Sequence, residues 1–255
     1  MDKISFETDN YLELNIAYKE KRPLVLIAPG GGYQWTSPRE AQPVQDVFQK
    51  AGYQTGIIYY RETKLLYPET LKELASFVTY VRGHAEEYYI DRDFIALVGF
   101  SAGAHYVASL GVDWRSFGDA SRPDALILAY PVITGKKGIA HEGSVRNLFG
   151  KIDGRARRKF SLEKRVSSAT PPTFLFHTVS DASVPYQNSL LFFEALKKAG
   201  VDAEMHLYQE GPHGIALANR TTPFPGEDPL EFERKNERLS GWIDLAVTWL
   251  KEIKK

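Results

Sequence analysis

The sequence predicts an α/β fold with a mostly parallel central sheet and helices on both of its faces. Two observations carry this. Short, almost wholly apolar runs such as Leu24-Val25-Leu26-Ile27-Ala28 and Phe94-Ile95-Ala96-Leu97-Val98 read as strands buried on both sides. Between such runs lie longer stretches whose apolar residues recur at helical spacing, so strand and helix alternate along the chain.

Taken in order, Leu12-Glu-Leu-Asn-Ile-Ala-Tyr18 alternates with period two and reads as an early, half-buried strand. Further strands are expected near 23–28, 54–60, 94–100, 125–130, 173–178 and 203–209. Helices fit near 39–51, 69–87, 102–110, 186–199 and 241–253. In the second of these Leu71, Leu74, Ala75, Val78, Val81 and Ala85 share a face, and in the last Trp242, Leu245, Ala246, Trp249, Leu250 and Ile253 do. Pro68, Pro185 and Gly200 punctuate helix ends. No repeat or linker interrupts the pattern, so residues 1–255 are expected to form one domain, a length that buries a large core.

Composition narrows the functional classes. The 32 Lys and Arg balance the 32 Asp and Glu, which gives no global field for nucleic acid or a membrane surface. The absence of cysteine excludes disulfides and thiolate metal sites. No apolar run approaches a membrane span, and Met1-Asp-Lys-Ile-Ser-Phe-Glu-Thr8 has no apolar signal core, so a cytoplasmic location is expected.

Gly99-Phe100-Ser101-Ala102-Gly103 is a G-x-S-x-G motif between an apolar strand and a helix. In that context the serine sits on a sharp turn with its hydroxyl presented as a nucleophile. Upstream, Pro29-Gly30-Gly31-Gly32-Tyr33 closes a strand, and its unobstructed N–H groups suit an oxyanion site. Alone, such a run reads as a flexible turn. Downstream, Asp181 follows the strand at 173–178. It serves either as a turn residue or as the carboxylate that orients an imidazole. His213 lies between glycines in Gly211-Pro-His-Gly214, on a loop after the strand at 203–209. The order Ser101, Asp181, His213 is the order of a serine, acid and base in α/β-hydrolases.

On these residues the chain resembles the α/β-hydrolase superfamily, and within it the small acetyl esterases and acetyl-xylan-esterase-like enzymes. Tyr60-Arg61, Ser161-Leu-Glu163 and Pro171-Pro-Thr-Phe-Leu-Phe-His-Thr178 extend the likeness over nearly the whole sequence. Pro29 stands where many esterases carry His, and Ala104 where relatives often carry Gly. The resemblance implies catalysis by Ser101, Asp181 and His213, an oxyanion hole of the Gly31, Gly32 and Ala102 N–H groups, and a short acyl ester of a sugar as substrate. No cofactor or metal is implied, and the expected partner is a small ester molecule. A general aliphatic esterase, a peptidase or arylformamidase on the same scaffold, and a non-catalytic relative are the alternatives.

Two stretches break the rhythm. Residues 134–168 hold ten Lys or Arg against three acids, and 219–241 carry Pro223, Pro225 and Pro229 with an acidic bias. Both leave the C-terminal side of the sheet, where α/β sites lie. They are expected either as a partial cap over Ser101 or as solvated excursions, with mutual contact a third arrangement. Tyr33, Trp35 and Tyr130 stand at strand ends or beside the glycines, as sugar-stacking faces or as packing. His105, one turn after Ser101, is expected to pack. His177 is expected to prop the acid loop, and Arg61 to pair with a carboxylate. His141-Glu142 lacks the second histidine of a zinc motif.

Overall fold

The computed structural model describes residues 2–254. Its strands are β1 (Asp2–Ile4), β2 (Tyr11–Asn15), β3 (Arg22–Ala28), β4 (Gln54–Tyr59), β5 (Ile90–Phe100), β6 (Ala125–Ala129), β7 (Thr173–Thr178) and β8 (Ala203–Tyr208). Its α-helices are α1 (Gln42–Lys50), α2 (Glu69–Gly83), α3 (Ala102–Asp113), α4 (Glu142–Phe149), α5 (Gly154–Phe160), α6 (Gln187–Lys198), α7 (Pro229–Ser240) and α8 (Trp242–Ile253). The strands form one sheet in the order β1-β2-β4-β3-β5-β6-β7-β8. The β1–β2 and β2–β4 pairings are antiparallel and the other five are parallel.

Alternation along each strand divides the core. Leu24, Leu26, Ile95, Leu97, Leu126 and Leu128 face α2, α3 and α6, while Val25, Ile27, Val98, Phe100 and Ile127 face α1 and α8. Each buried large aliphatic or aromatic side chain contributes about 1.5–3 kcal/mol, so both layers fix the sheet. The register then sets the site. Ala28 pairs with Gly99, Phe100 with Ala129, and Ala129 with Phe176. The C-terminal ends of β3, β5, β6 and β7 therefore lie level, and the loops that follow them open on one rim.

Three differences from the sequence reading stand out. Strand β1 is three residues long, too short for alternation to reveal. The second helix stops at Gly83. The stretches 134–168 and 219–241 contain α4, α5 and α7. Val145, Leu148, Ala156, Phe160 and Leu162 of the basic stretch are buried in the core, while Lys136, Lys137, Lys151, Arg155, Arg158 and Lys159 face solvent. Arg157 pairs with Glu142, and Arg220 with Glu233. Among the described residues no ion pair joins one excursion to the other.

Candidate active site

Ser101 occupies the junction between β5 and α3 with φ 52° and ψ −115°. A non-glycine residue held there stores of order 1–3 kcal/mol of strain. The neighbouring backbone sustains it: Ser101 N–H donates to the Ala129 carbonyl at 3.0 Å, and the Ser101 carbonyl accepts from Val132 N–H at 3.1 Å. The two motif glycines permit the close approach. A Cβ on Gly99 would sit 2.5 Å from Ala104 Cα, and one on Gly103 would sit 2.1 Å from the Ala28 carbonyl oxygen.

Ser101 Oγ lies 2.8 Å from His213 Nε2, and His213 Nδ1 lies 2.6 Å from Asp181 Oδ2. An ionised carboxylate only accepts, so the proton sits on Nδ1 and Nε2 is free to accept from the serine hydroxyl. Asp181 Oδ1 accepts the N–H groups of Ser183 at 2.9 Å and Val184 at 2.8 Å. Burial alone would raise this carboxyl. Hydrogen bonds from His177 and His213, the His213 charge and the Val184 N–H instead hold it well below the usual carboxylate range.

Beside the serine, Gly30 N–H donates to Glu40 Oε2 at 2.7 Å. The N–H groups of Gly31, Gly32 and Ala102 donate to no acceptor among the described residues. Ala102 opens α3, whose positive end suits an anion. Gly31 has φ +132°, and a Cβ on it would lie 2.0 Å from the Trp35 carbonyl oxygen, so only glycine fits this turn. A hydroxyl bonded to an oriented imidazole, next to free N–H donors, is an arrangement able to attack an acyl carbon and stabilise the oxyanion that forms.

Residues 11–120 match the BD-FAE family model, and residues 144–223 match that of the prolyl oligopeptidase family. The solved acetyl ester-xyloside bifunctional hydrolase from Caldicellulosiruptor lactoaceticus superposes with a TM-score of 0.84 at 32% identity, over 98% of this chain and 90% of that one. The chain belongs to the α/β-hydrolase superfamily. Among curated proteins it is 34% identical over 212 residues to endo-1,4-beta-xylanase B of Butyrivibrio fibrisolvens, and 28% identical over 199 residues to an acetylxylan esterase of Xylanibacter ruminicola. These alignments take in 78% and 76% of this α/β-hydrolase. It spans 33% and 41% of the length of those two relatives.

Around the site of this α/β-hydrolase the other singled-out residues separate clearly. His105 is buried, with Nε2–H donating to the Phe160 carbonyl at 2.9 Å and Nδ1 accepting from Tyr33 OH at 2.8 Å. Burial pushes its imidazole down to about 3, against the Phe160 hydrogen bond and with Arg165 adding to the depression. His177 lies beneath the acid, 3.3 Å from Asp181 Oδ2, with its ring nitrogens engaged by Ser189 Oγ and the Val184 carbonyl.

Three expectations are corrected. Tyr33 is 1% exposed and committed to His105, so it has no face for a sugar. Tyr130 is 2% exposed, donates to Glu40 Oε1 at 2.6 Å and packs edge-on against the His213 ring. Both rings are closed off from solvent, whereas Trp35 is 55% exposed. Arg61 pairs with no carboxylate among the described residues. It donates to the Leu65 carbonyl at 2.9 Å and lies over the Tyr33 ring.

Two features escaped the sequence reading. Arg39-Glu40, a charged pair just past the glycine turn, is tied into the site. The only sequence signal was its place between Pro38 and an amphipathic helix. His141, set aside for want of a zinc pattern, lies at the site: its Cε1 is 3.8 Å from where a Cβ of Gly32 would be. Its Nδ1 accepts Ser144 N–H at 3.2 Å, which leaves the proton on Nε2. Burial and then the His213 charge lower its basicity, opposed by Asp181, so the ring stays neutral near neutral pH. Asn147 Nδ2 donates to the Gly32 carbonyl at 2.8 Å and ties α4 to the glycine turn.

Proposed function

We propose that this chain is a serine carboxylesterase that hydrolyses short-chain acyl esters, chiefly acetyl esters, of sugars or xylo-oligosaccharides. His213 accepts the Ser101 proton as Oγ attacks the acyl carbon, and Asp181 stabilises the imidazolium. The Gly31, Gly32 and Ala102 N–H groups bind the oxyanion. The alcohol leaves with the proton from His213, and water, deprotonated by the same ring, releases the acid from the acyl-enzyme. The observation that carries this reading is the hydrogen-bonded run from Ser101 Oγ through His213 to Asp181. The sugar ester is supported by the activities named for the xylanase, acetylxylan esterase and acetyl ester-xyloside hydrolase relatives. Trp35 supplies an exposed aromatic face beside the oxyanion turn, and His141 Nε2–H a donor for a sugar hydroxyl. The test is a panel of p-nitrophenyl esters and acetylated xylose and xylobiose, with release of acetate followed directly. Hydrolysis of neither class overturns the reading.

The prolyl oligopeptidase match covers Asp181 and His213, which favours amide hydrolysis as a second reading. Aminoacyl p-nitroanilides in the same panel separate the two. Turnover of these anilides exceeding that of every ester would replace esterase by peptidase.

A further inference from the structure

Residues Pro38–Glu40 form a single 3-10 turn that leads from the oxyanion loop into α1. The two charged side chains of this turn hold opposite sides of the site. Glu40 is 3% exposed; its Oε2 accepts Gly30 N–H at 2.7 Å and its Oε1 accepts Tyr130 OH at 2.6 Å. The Tyr130 oxygen in turn accepts Ala216 N–H at 3.0 Å, three residues after His213. The Tyr130 ring meets the His213 ring edge-on at 5.1 Å. Arg39 grips the same loop directly: Nη1 donates to the Gly214 carbonyl at 2.8 Å, Nη2 to Thr222 at 2.6 Å and Nε to Pro223 at 2.8 Å.

We propose that Glu40 is a positioning residue for the ester hydrolysis proposed above, a carboxylate brace that sets the oxyanion donors at a fixed distance from the His213 loop. The proposal rests on the serine esterase reading. Its chemical basis is the demand for two acceptors. Gly30 N–H and Tyr130 O–H are both donors, and only an ionised carboxylate accepts at both ends. Gly30 must be glycine for this, since a Cβ there would lie 2.8 Å from Glu40 Oε2. Burial, then the Glu40 charge, raise the Tyr130 phenol well above its ordinary value, which keeps it a neutral donor. Donors aimed at an oxyanion contribute in proportion to their placement, so a loosened brace acts on the transition state more than on bound substrate.

The experiment compares Glu40→Gln and Tyr130→Phe with wild type on p-nitrophenyl acetate, alongside thermal unfolding and the rate of inactivation by a fluorophosphonate. Gln turns an N–H toward one of the two donors and leaves a buried clash. The expected result is a fall in kcat of about ten- to a hundred-fold in each variant, with KM changed less than about three-fold. The fluorophosphonate rate falls in parallel. The double variant loses no more than the worse single one, because the two residues act as a unit. If Glu40→Gln does not fold, Tyr130→Phe carries the test. Folded variants that keep kcat and the labelling rate within about three-fold of wild type overturn the brace while leaving the esterase reading intact. A wild-type protein that the fluorophosphonate does not modify at Ser101 overturns the esterase reading itself, and the brace with it.

Discussion

Ser101 Oγ and His213 Nε2 lie 2.8 Å apart although 112 positions separate them in sequence. The sheet register delivers the serine to the level rim, and the loop after β8 brings the imidazole to it. Replacing either should therefore remove the same chemistry. Ser101→Ala and His213→Ala are each expected to lower kcat by about 10⁶-fold, and Asp181→Asn by about 10⁴-fold through the wrong imidazole tautomer. Steady-state kinetics with circular dichroism checks this. A folded Ser101→Ala protein with turnover near wild type contradicts it.

His105 gives a prediction for stability. Its folded pKa lies below the ordinary value of 6.5, at about 3. Between those values the unfolded chain binds a proton that the folded chain refuses, so stability falls as pH drops through this window, by up to about 1.4 kcal/mol per unit. Buried Glu73 and the half-buried Asp113 and Glu163 are raised by desolvation and act in the opposite sense. The measurement is accordingly the difference between wild type and His105→Gln in urea unfolding at pH 7 and pH 5. The variant should lose less stability on acidification and keep most of its activity. Equal pH dependence in both proteins contradicts the assignment.

A separate expectation concerns His141. If its Nε2–H bonds a sugar hydroxyl, His141→Ala should raise KM for acetylated xylose about three- to ten-fold, the worth of one neutral hydrogen bond. The kcat for p-nitrophenyl acetate should change less than about two-fold. A fall in kcat without a change in KM would instead make His141 part of the machinery around Ser101.

Acyl length tests the shape of the site. Beside the glycine turn lie the polar His141 and Asn147 and the exposed Trp35, while Tyr33 and Tyr130 are closed into the core. The value of kcat/KM for p-nitrophenyl esters should peak at acetate and fall steeply by octanoate, since each unaccommodated methylene forfeits up to about 0.8 kcal/mol of burial. Rates that rise with chain length would point to an aliphatic esterase.

Much of this was legible in the sequence because the relevant physics is local. An apolar run buried on both faces, a glycine on each side of Ser101, and loops carrying Asp181 and His213 after strands are all visible as short patterns. Side-chain depth was not. Tyr33 and Tyr130 sit at the expected turns, but whether a ring points into the core depends on the positive φ of each, 62° and 37°. The brace of Arg39 and Glu40 joins residues 10 to 184 positions apart, which no local pattern encodes. Helices α5 and α7 were hidden because their charged residues outnumber the few apolar ones that bury.

Acyl transfer through Ser101 is tested by mass spectrometry of the enzyme quenched in acid during turnover of p-nitrophenyl acetate. The expected result is a mass gain of one acetyl group, mapped to the peptide holding Ser101, absent from Ser101→Ala and accumulating in His213→Ala only if acylation still proceeds. Undiminished hydrolysis by Ser101→Ala, or an acetyl adduct mapped to another residue that forms and decays at the turnover rate, would contradict it.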